Sequence, residues 1–271
     1  AQEVKECERG HVFRVTSFGR FFLDLAVEPD RTFLAGDGVL EPHLTDLFGS
    51  LIGPGDVVLD VGASSGLHSV LFARLAAGGE VLAFEPVPSA WERLRRNVEL
   101  NPGQLVRTYR LALADRCGPV EMHVVDPAER EQGNHSLLEN EKLLGVLRGK
   151  TSRLAVEART LDAFLEVERP DLDPGRVSFV KIDVEGAEHL VLRGMQALLG
   201  AAAPHLLVEA VPERLELLGL HPGDLVRLAG PGYRAFAVGP SGVLQGFDPA
   251  GPFPGRELLL VSGRRLPSFA T

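Results

Sequence analysis

From Val57 onward, short apolar runs alternate with segments whose apolar residues recur at helical spacing. "VVLDVGA" (57–63) is a β-branched run ending in glycine, and "LHSVLFARLA" (67–76) after it is helical. "EVLAFEP" (80–86) predicts the next strand. "SAWERLRRNVELN" (89–101) then spaces Trp91, Leu94, Val98 and Leu100 as a buried helical stripe. Strand, helix, strand, helix is the pattern of a parallel sheet. A third strand is expected in "LVRTYRLALA" (105–114), and "PVEMHVV" (119–125) and "LAVEART" (154–160) are expected to pair as an antiparallel addition. Between them, Asp126 to Arg153 is too long for an idle connection and predicts a functional loop or lid.

The pattern continues with a short helix at 160–166, the strand "SFVKIDVEG", one helix over 187–200, the strand "HLLVEAV" (205–211) and helical sequence near 212–229. "YRAFAVG" (233–239) and "ELLLVSG" (257–263) follow without a clear helix between them, as an antiparallel pair at a sheet edge would, joined by the Pro/Gly-rich loop "GPSGVLQGFDPAGPFPG". About seven core strands result, covered on both faces. Ahead of them, "HVFRVTSFGRFFLDLAV" (11–27) reads as two strands around "SFGR", and Leu44, Leu47, Phe48 and Leu51 mark a helix from about Glu41 to Leu51. Residues 1–52 are therefore expected to form a hairpin-and-helix extension on a core of residues 53–271.

The segment "FVKIDVEGAEHLVLRG" (179–194) departs from a plain buried strand. Val180, Ile182 and Val184 alternate with Lys181, Asp183 and Glu185, placing three charges on one face. As the fourth core strand it lies inside the sheet, so that face is expected to border a cleft at the carboxyl end.

Composition narrows the classes. Hydrophobic residues make up 45% and charged residues 24% of the 271, as in ordinary globular proteins. A formal charge of -9 opposes general binding to nucleic acid or anionic membranes. The basic run Arg93, Arg95 and Arg96 reads as a solvated helix face. Cys7 and Cys117 match no metal or redox spacing, so reduced thiols in the cytoplasm are the expectation. No stretch reaches the ~18 apolar residues of a membrane span, and the first residues lack the apolar core of a secretion signal.

The candidate chemistry begins in "VVLDVGASSGLHS". Asp60 ends a strand, and Gly62 and Gly66 frame a tight turn before a helix whose free N–H groups suit a carboxylate. The spacing is G-x-x-x-G, which differs from the dinucleotide pattern G-x-G-x-x-G. Glu85 closes the second strand about 20 residues further on, where an acid can accept both hydroxyls of a ribose. Nucleoside binding accounts for the combination better than a βαβ turn with a capping acid.

"DVGASSG", "FEPVPSAWERLRRNVELN", "LALADRCG", "GNHSL", "RTLDAFL", "FVKIDVEGAEHLVLRGMQALL" and "LLVEAVPE" occur in the order seen in FkbM-type S-adenosylmethionine-dependent methyltransferases, which the chain resembles over about residues 40–240. The resemblance implies the class I methyltransferase (Rossmann-like) α/β fold with a mainly parallel seven-stranded sheet. It also implies S-adenosylmethionine as methyl donor and a hydroxyl oxygen of a sugar, glycan or natural product as acceptor. By position, Asp60, Gly62, Ala63, Ser64 and Gly66 look like the methionine-side loop, Glu85 like the ribose acid, and Asp115 like the group beside the adenine. Family members often carry Asn after the alanine, where this chain has Ser64.

Asp183 is expected on the donor side, with Glu185 and His189 nearer the acceptor as candidate bases or acceptor ligands. Competing readings make Glu185 a cap of the next helix, His189 an exposed helix residue and Lys181 an ion-pair partner. Asn134 and His135 are candidate acceptor contacts in the long loop. No compact metal-ligand cluster is readable, so no metal is expected. The rival functions are a nicotinamide-dependent oxidoreductase and a non-catalytic nucleoside-binding module. Oligomeric state and the acceptor's identity are not encoded in any recognisable motif.

Overall fold

The computed structural model describes residues 3–6, 10–36, 41–125 and 151–265. The chain begins with a three-stranded antiparallel sheet, β1 (Glu3–Glu6), β2 (His11–Val15) and β3 (Arg20–Asp24). Helices α1 (Glu28–Ala35) and α2 (Pro42–Leu51) follow. The expected hairpin is therefore joined by a third strand and by an additional helix, α1. Arg14 caps the end of α1: its guanidinium donates to the carbonyls of Phe33, Leu34 and Gly36.

The core runs β4 (Val57–Val61), α3 (Leu67–Leu75), β5 (Glu80–Phe84), α4 (Pro88–Glu99) and β6 (Val106–Tyr109). Next come β7 (Ala112–Leu113), β8 (Gly118–Val125), β9 (Thr151–Arg159), α5 (Leu161–Glu168) and β10 (Val177–Ile182). The chain continues through α6 (Glu188–Arg193), α7 (Gln196–Ala202), β11 (His205–Glu209), α8 (Pro212–Leu217), α9 (Pro222–Ala229), β12 (Tyr233–Val238), β13 (Leu244–Gly246) and β14 (Glu257–Ser262).

The main sheet has the order β13-β12-β14-β11-β10-β4-β5-β6. β11, β10, β4, β5 and β6 are parallel, and β14 inserts antiparallel between β11 and β12. From β4 the chain winds outward through β5 and β6, then returns to build β10 and β11 on the other side. The crevice at this reversal, above the carboxyl ends of β4 and β10, is where an open α/β sheet binds its ligand. The expected class I α/β architecture is thus present.

Several expectations are corrected. The sheet has eight strands, because Leu244–Gly246 pairs with β12 inside the segment expected to be a loop. The third strand stops at Tyr109, and β7 leaves to pair in parallel with β9, joining the expected β8–β9 antiparallel pair. The helix over 187–200 breaks at Gly194–Met195: a Cβ on Gly194 would lie 2.0 Å from the Ala114 carbonyl oxygen, a close approach only glycine permits. The helical stretch near 212–229 likewise divides into α8 and α9.

Each face of the sheet has its own core. Val57, Leu59, Val61, Val180 and Ile182 pack with Leu161, Phe164, Val191 and Leu192 from helices α5 and α6. Val58, Val81 and Phe179 pack on the other face against Leu44, Leu47 and Phe48 of α2 and Phe72 of α3. Alternation then fixes the site: Asp60 and Lys181 continue the second face at the sheet's carboxyl edge, beside α2 and α3. Among the described residues no helix is long and apolar enough to cross a membrane.

Candidate active site

The loop after β4 is stitched to both neighbouring strands. Asp60 is fully buried; its Oδ2 accepts the Ser69 hydroxyl at 2.6 Å, while Oδ1 has no hydrogen-bond partner. The N–H groups of Gly62 and Ala63 both donate to the Phe84 carbonyl at 3.0 Å. Gly62 has φ 84°, and a Cβ there would lie 1.8 Å from the Asp183 carbonyl oxygen. Gly66 has φ 82° and lies so close to α4 that a Cβ would meet Leu94 Cδ1 at 2.5 Å. These two glycines supply left-handed turns and bring the loop against its neighbours.

Glu85, just past β5, holds the loop from the other side. Its Oε2 accepts the Ser64 N–H and its Oε1 the Val87 N–H, both at 2.9 Å. Burial pushes its carboxyl up to about 7, against the lowering effect of those hydrogen bonds and of Arg93. Glu85, Ser64 and Gly62 line an open-mouthed cavity, a concave site with apolar walls and a few convergent polar groups. Phe84, Leu111, Leu113 and Met122 give it an apolar wall, and Asp183 and Glu185 close its far side. A buried acid with two lone pairs to spare, facing an apolar slot, suits a ribose diol carrying a flat base.

The charged end of β10 is more elaborate than its alternation suggests. Only Lys181 lies within the strand, because β10 ends at Ile182 and the next residues turn. Lys181 is buried and donates to Asp183 Oδ2 at 2.7 Å, the ion-pair role expected of it. Burial opposes its charge, but Asp183, Asp60 and Glu41 together keep it protonated. Glu185 has φ 58°, and its carboxylate meets Arg214 at 2.5 Å. Arg214 also holds Glu209 at 2.7 Å. Desolvation raises Glu185 to about 7 and Glu209 well above the carboxylate range. Glu188, not Glu185, caps the turn, accepting the N–H groups of Val184 and Gly186.

The family comparison decides the class of the site. Residues 60–221 match the Methyltransferase FkbM domain, a span from Asp60 through Glu85 to Arg214. The chain belongs to the FkbM methyltransferase domain family. Methyltransferase sdnD of Sordaria araneosa is 31% identical to it over 157 residues, covering 51% of this chain and 60% of that protein. The 2-O-methyltransferase NoeI of Sinorhizobium fredii is 28% identical over 149 residues, covering 52% and 58%. The chain thus spans about three fifths of the length of these two relatives. The solved structure of Methyltransferase FkbM from Methylobacillus flagellatus KT superposes with a TM-score of 0.47 at 15% identity, over 80% of this chain and 50% of that one.

In this FkbM-domain chain the cavity gathers most of the residues singled out in the sequence. Gly62, Ser64, Glu85, Asp183 and Glu185 line it, and Asp60, Ala63 and Gly66 shape the loop beside it. Two expected residues lie elsewhere. Asp115 is exposed in the turn after β7 and does not line the cavity, because the chain has already left the main sheet to pair with β9. His189 is neither exposed nor part of the cavity wall: the turn at 183–187 buries it at the start of α6, and burial lowers its pKa. Asn134, His135 and Cys7 lie outside the described residues, as does most of the expected lid.

Other residues enter the site unannounced. Arg93, on the helix face expected to be solvated, lines the cavity, with its Nε buried and without a hydrogen-bond partner. Asn97, one turn further along α4, is fully buried, an inward polar face that the charges around it disguise. Glu209 and Arg214 come from β11 and α8. The carboxylates of Asp183, Glu185 and Glu209 lie within 4.8 Å of one another, the spacing of a cation site. Here Arg214 sits between two of them and Lys181 holds the third, so each carboxylate already meets a side-chain cation.

Proposed function

We propose that the chain transfers a methyl group from S-adenosylmethionine to a hydroxyl oxygen of a sugar, glycan or natural product. The observation that carries this reading is one cavity running from Glu85 and the Gly62–Gly66 loop, past an apolar wall, to Asp183 and Glu185. Glu85 would take the ribose hydroxyls, and Phe84, Leu111, Leu113 and Met122 the base. The unpartnered Oδ1 of Asp60 marks the polar end of the loop, where the donor's amino-acid portion would lie. When bound, the sulfonium supplies an activated methyl group for in-line displacement.

What the chain adds is position and a proton acceptor. Holding donor and acceptor in line supplies much of the acceleration in such a displacement. Glu185 is the group best placed to accept the hydroxyl proton: it faces the cavity and titrates near neutrality, where a general base is most effective. The name of the relative NoeI, a 2-O-methyltransferase, supports oxygen as acceptor.

Calorimetry with S-adenosylhomocysteine and with NAD tests the donor, and a panel of glycans and hydroxylated metabolites tests transfer. Binding of S-adenosylhomocysteine with methylation of a hydroxyl supports the proposal. Tight NAD binding alone would overturn it in favour of an oxidoreductase, and donor binding without any transfer would favour a binding module.

A further inference from the structure

Ser65 is clamped from two sides by parts of the chain that lie outside the nucleoside cavity. It is 1% exposed, and its hydroxyl donates to Asp30 Oδ1 at 2.6 Å. Asp30, in α1, is fully buried, and its Oδ2 accepts the Asp24 N–H from the end of β3 at 2.8 Å. The Ser65 carbonyl accepts from Asn97 Nδ2 at 2.8 Å, while Asn97 Oδ1 takes the Phe22 N–H at 2.7 Å. One residue of the loop is thus tied to β3 twice, once through each of two buried side chains. Asn101 adds a further hold, accepting the Arg20 N–H and donating to the Arg20 carbonyl.

Packing follows the same route. Phe21, Leu23 and Phe33 form a cluster with Leu67 and Val70 of α3. Gly19 approaches so closely that a Cβ would meet Asn101 Oδ1 at 2.7 Å and Val70 Cγ1 at 2.8 Å. The neighbour of Ser65 is Ser64, held at φ 50° with its N–H on Glu85. A left-handed serine is costly unless its surroundings impose it. Thr32 also lines a second cavity with Ser64, Ser65, Lys181 and Asp183, so the N-terminal segment walls the loop as well as bracing it.

We infer that Asp30 and Asn97 are positioning residues for the methyl-donor loop, acting through Ser65, and that donor binding and the seating of residues 20–36 stabilise each other. The inference rests on the donor reading above. Any ligand that favours the clamped loop must, by linkage, favour the seated N-terminal segment to the same degree. The N-terminal strands and α1 are then part of the donor site's mechanics.

The test uses the whole chain and S-adenosylhomocysteine. Ser65→Ala and Asp30→Ala are each expected to weaken binding about tenfold, as leaving a buried polar group without its hydrogen-bond partner does. The double variant is expected to bind no more weakly than Asp30→Ala, because Ser65 reaches Asp30 through the contact that variant already lacks. Hydrogen exchange at the Phe22 and Asp24 amides is expected to slow when S-adenosylhomocysteine binds wild type, and not in Ser65→Ala. Leu198→Ala opens the core on the other face of the sheet, away from Ser65 and from residues 20–36, and should lower Tm while leaving affinity within about twofold. Wild-type affinity in Ser65→Ala, additive losses in the double variant, or equal weakening by Leu198→Ala would each overturn the inference alone. Failure of wild type to bind S-adenosylhomocysteine would overturn the donor reading and this inference with it.

Discussion

The Ser64 N–H donates to Glu85 Oε2 at 2.9 Å, so the loop after β4 and the acid after β5 hold each other in place. With Val87 on the other oxygen, each carboxylate oxygen keeps a lone pair for a ligand. Glu85→Ala removes the diol acceptor and frees the loop together. Hydrogen bonds to charged groups contribute ~1.5–3 kcal/mol each, so S-adenosylhomocysteine binding is expected to weaken by at least about tenfold. Titration calorimetry measures this, and unchanged affinity would remove the ribose role from Glu85.

Arg93 tunes that acid. Burial raises Glu85 to about 7, and the Arg93 charge acts in the opposite direction. In Arg93→Met the carboxyl stays protonated to higher pH and loses acceptor capacity at neutrality. Donor affinity is expected to fall at pH 7 and to recover toward the wild-type value at pH 9. A deficit of equal size at both pH values would point to a direct contact instead.

The order of strands and helices around the cavity was legible because its period-two and helical patterns are local. So was the Gly62–Gly66 turn, whose glycines meet backbone and Leu94 as a tight loop requires. Arg93 was not legible, since the charges at Glu92, Arg95 and Arg96 on α4 hide the inward line of Arg93 and Asn97. Glu209 and Arg214 reach Glu185 from elements that follow the charged strand by more than 20 residues, and no local pattern encodes that meeting. The alternation through Glu185 failed because the strand ends at Ile182 and the chain turns, with Glu185 and Gly186 both at positive φ. His189 and Asp115 do not line the cavity, because the first is buried at the start of α6 and the second lies exposed where β7 has left the main sheet for β9.

Glu188 offers a test in stability. Its carboxyl accepts the Val184 and Gly186 N–H groups, and burial raises it to about 7. A raised folded-state pKa means its contribution is full below about 4.5, the ordinary value, and is lost as pH climbs through 7. Glu188→Gln keeps an acceptor oxygen and removes the titration. The variant is expected to unfold near the wild-type temperature at pH 5 and at a higher temperature at pH 8. A lower unfolding temperature than wild type at pH 8 would show that the ionised form is the stabilising one.

Two glycines with the same backbone sign should separate strain from contact. Gly103 has φ 91°, and a Cβ there would meet nothing within 4 Å, so Gly103→Ala is expected to cost the ~1–2 kcal/mol of a left-handed residue. Gly62→Ala adds overlap with the Asp183 carbonyl to the same strain. It is expected to lower Tm by several times as much and to abolish donor binding. Thermal unfolding of both variants reads the difference, and equal shifts would mean the loop can move away from Asp183.

Glu185 and Arg214 bear on the chemistry itself. Glu185→Gln keeps the shape of the cavity wall and removes the proton acceptor, so turnover is expected to fall by ~10²–10⁴ with donor affinity near wild type. Arg214 lowers the pKa of both Glu185 and Glu209 against the burial that raises them. Arg214→Met removes the positive charge that both carboxylates meet at a single nitrogen, Nη1. Glu185 then binds its proton more tightly, and the acid limb of the pH–rate profile is expected to move to higher pH. A limb that stays in place when Arg214 is changed, while Glu185→Gln abolishes it, would mean that Glu185 works as base without Arg214 setting its pKa.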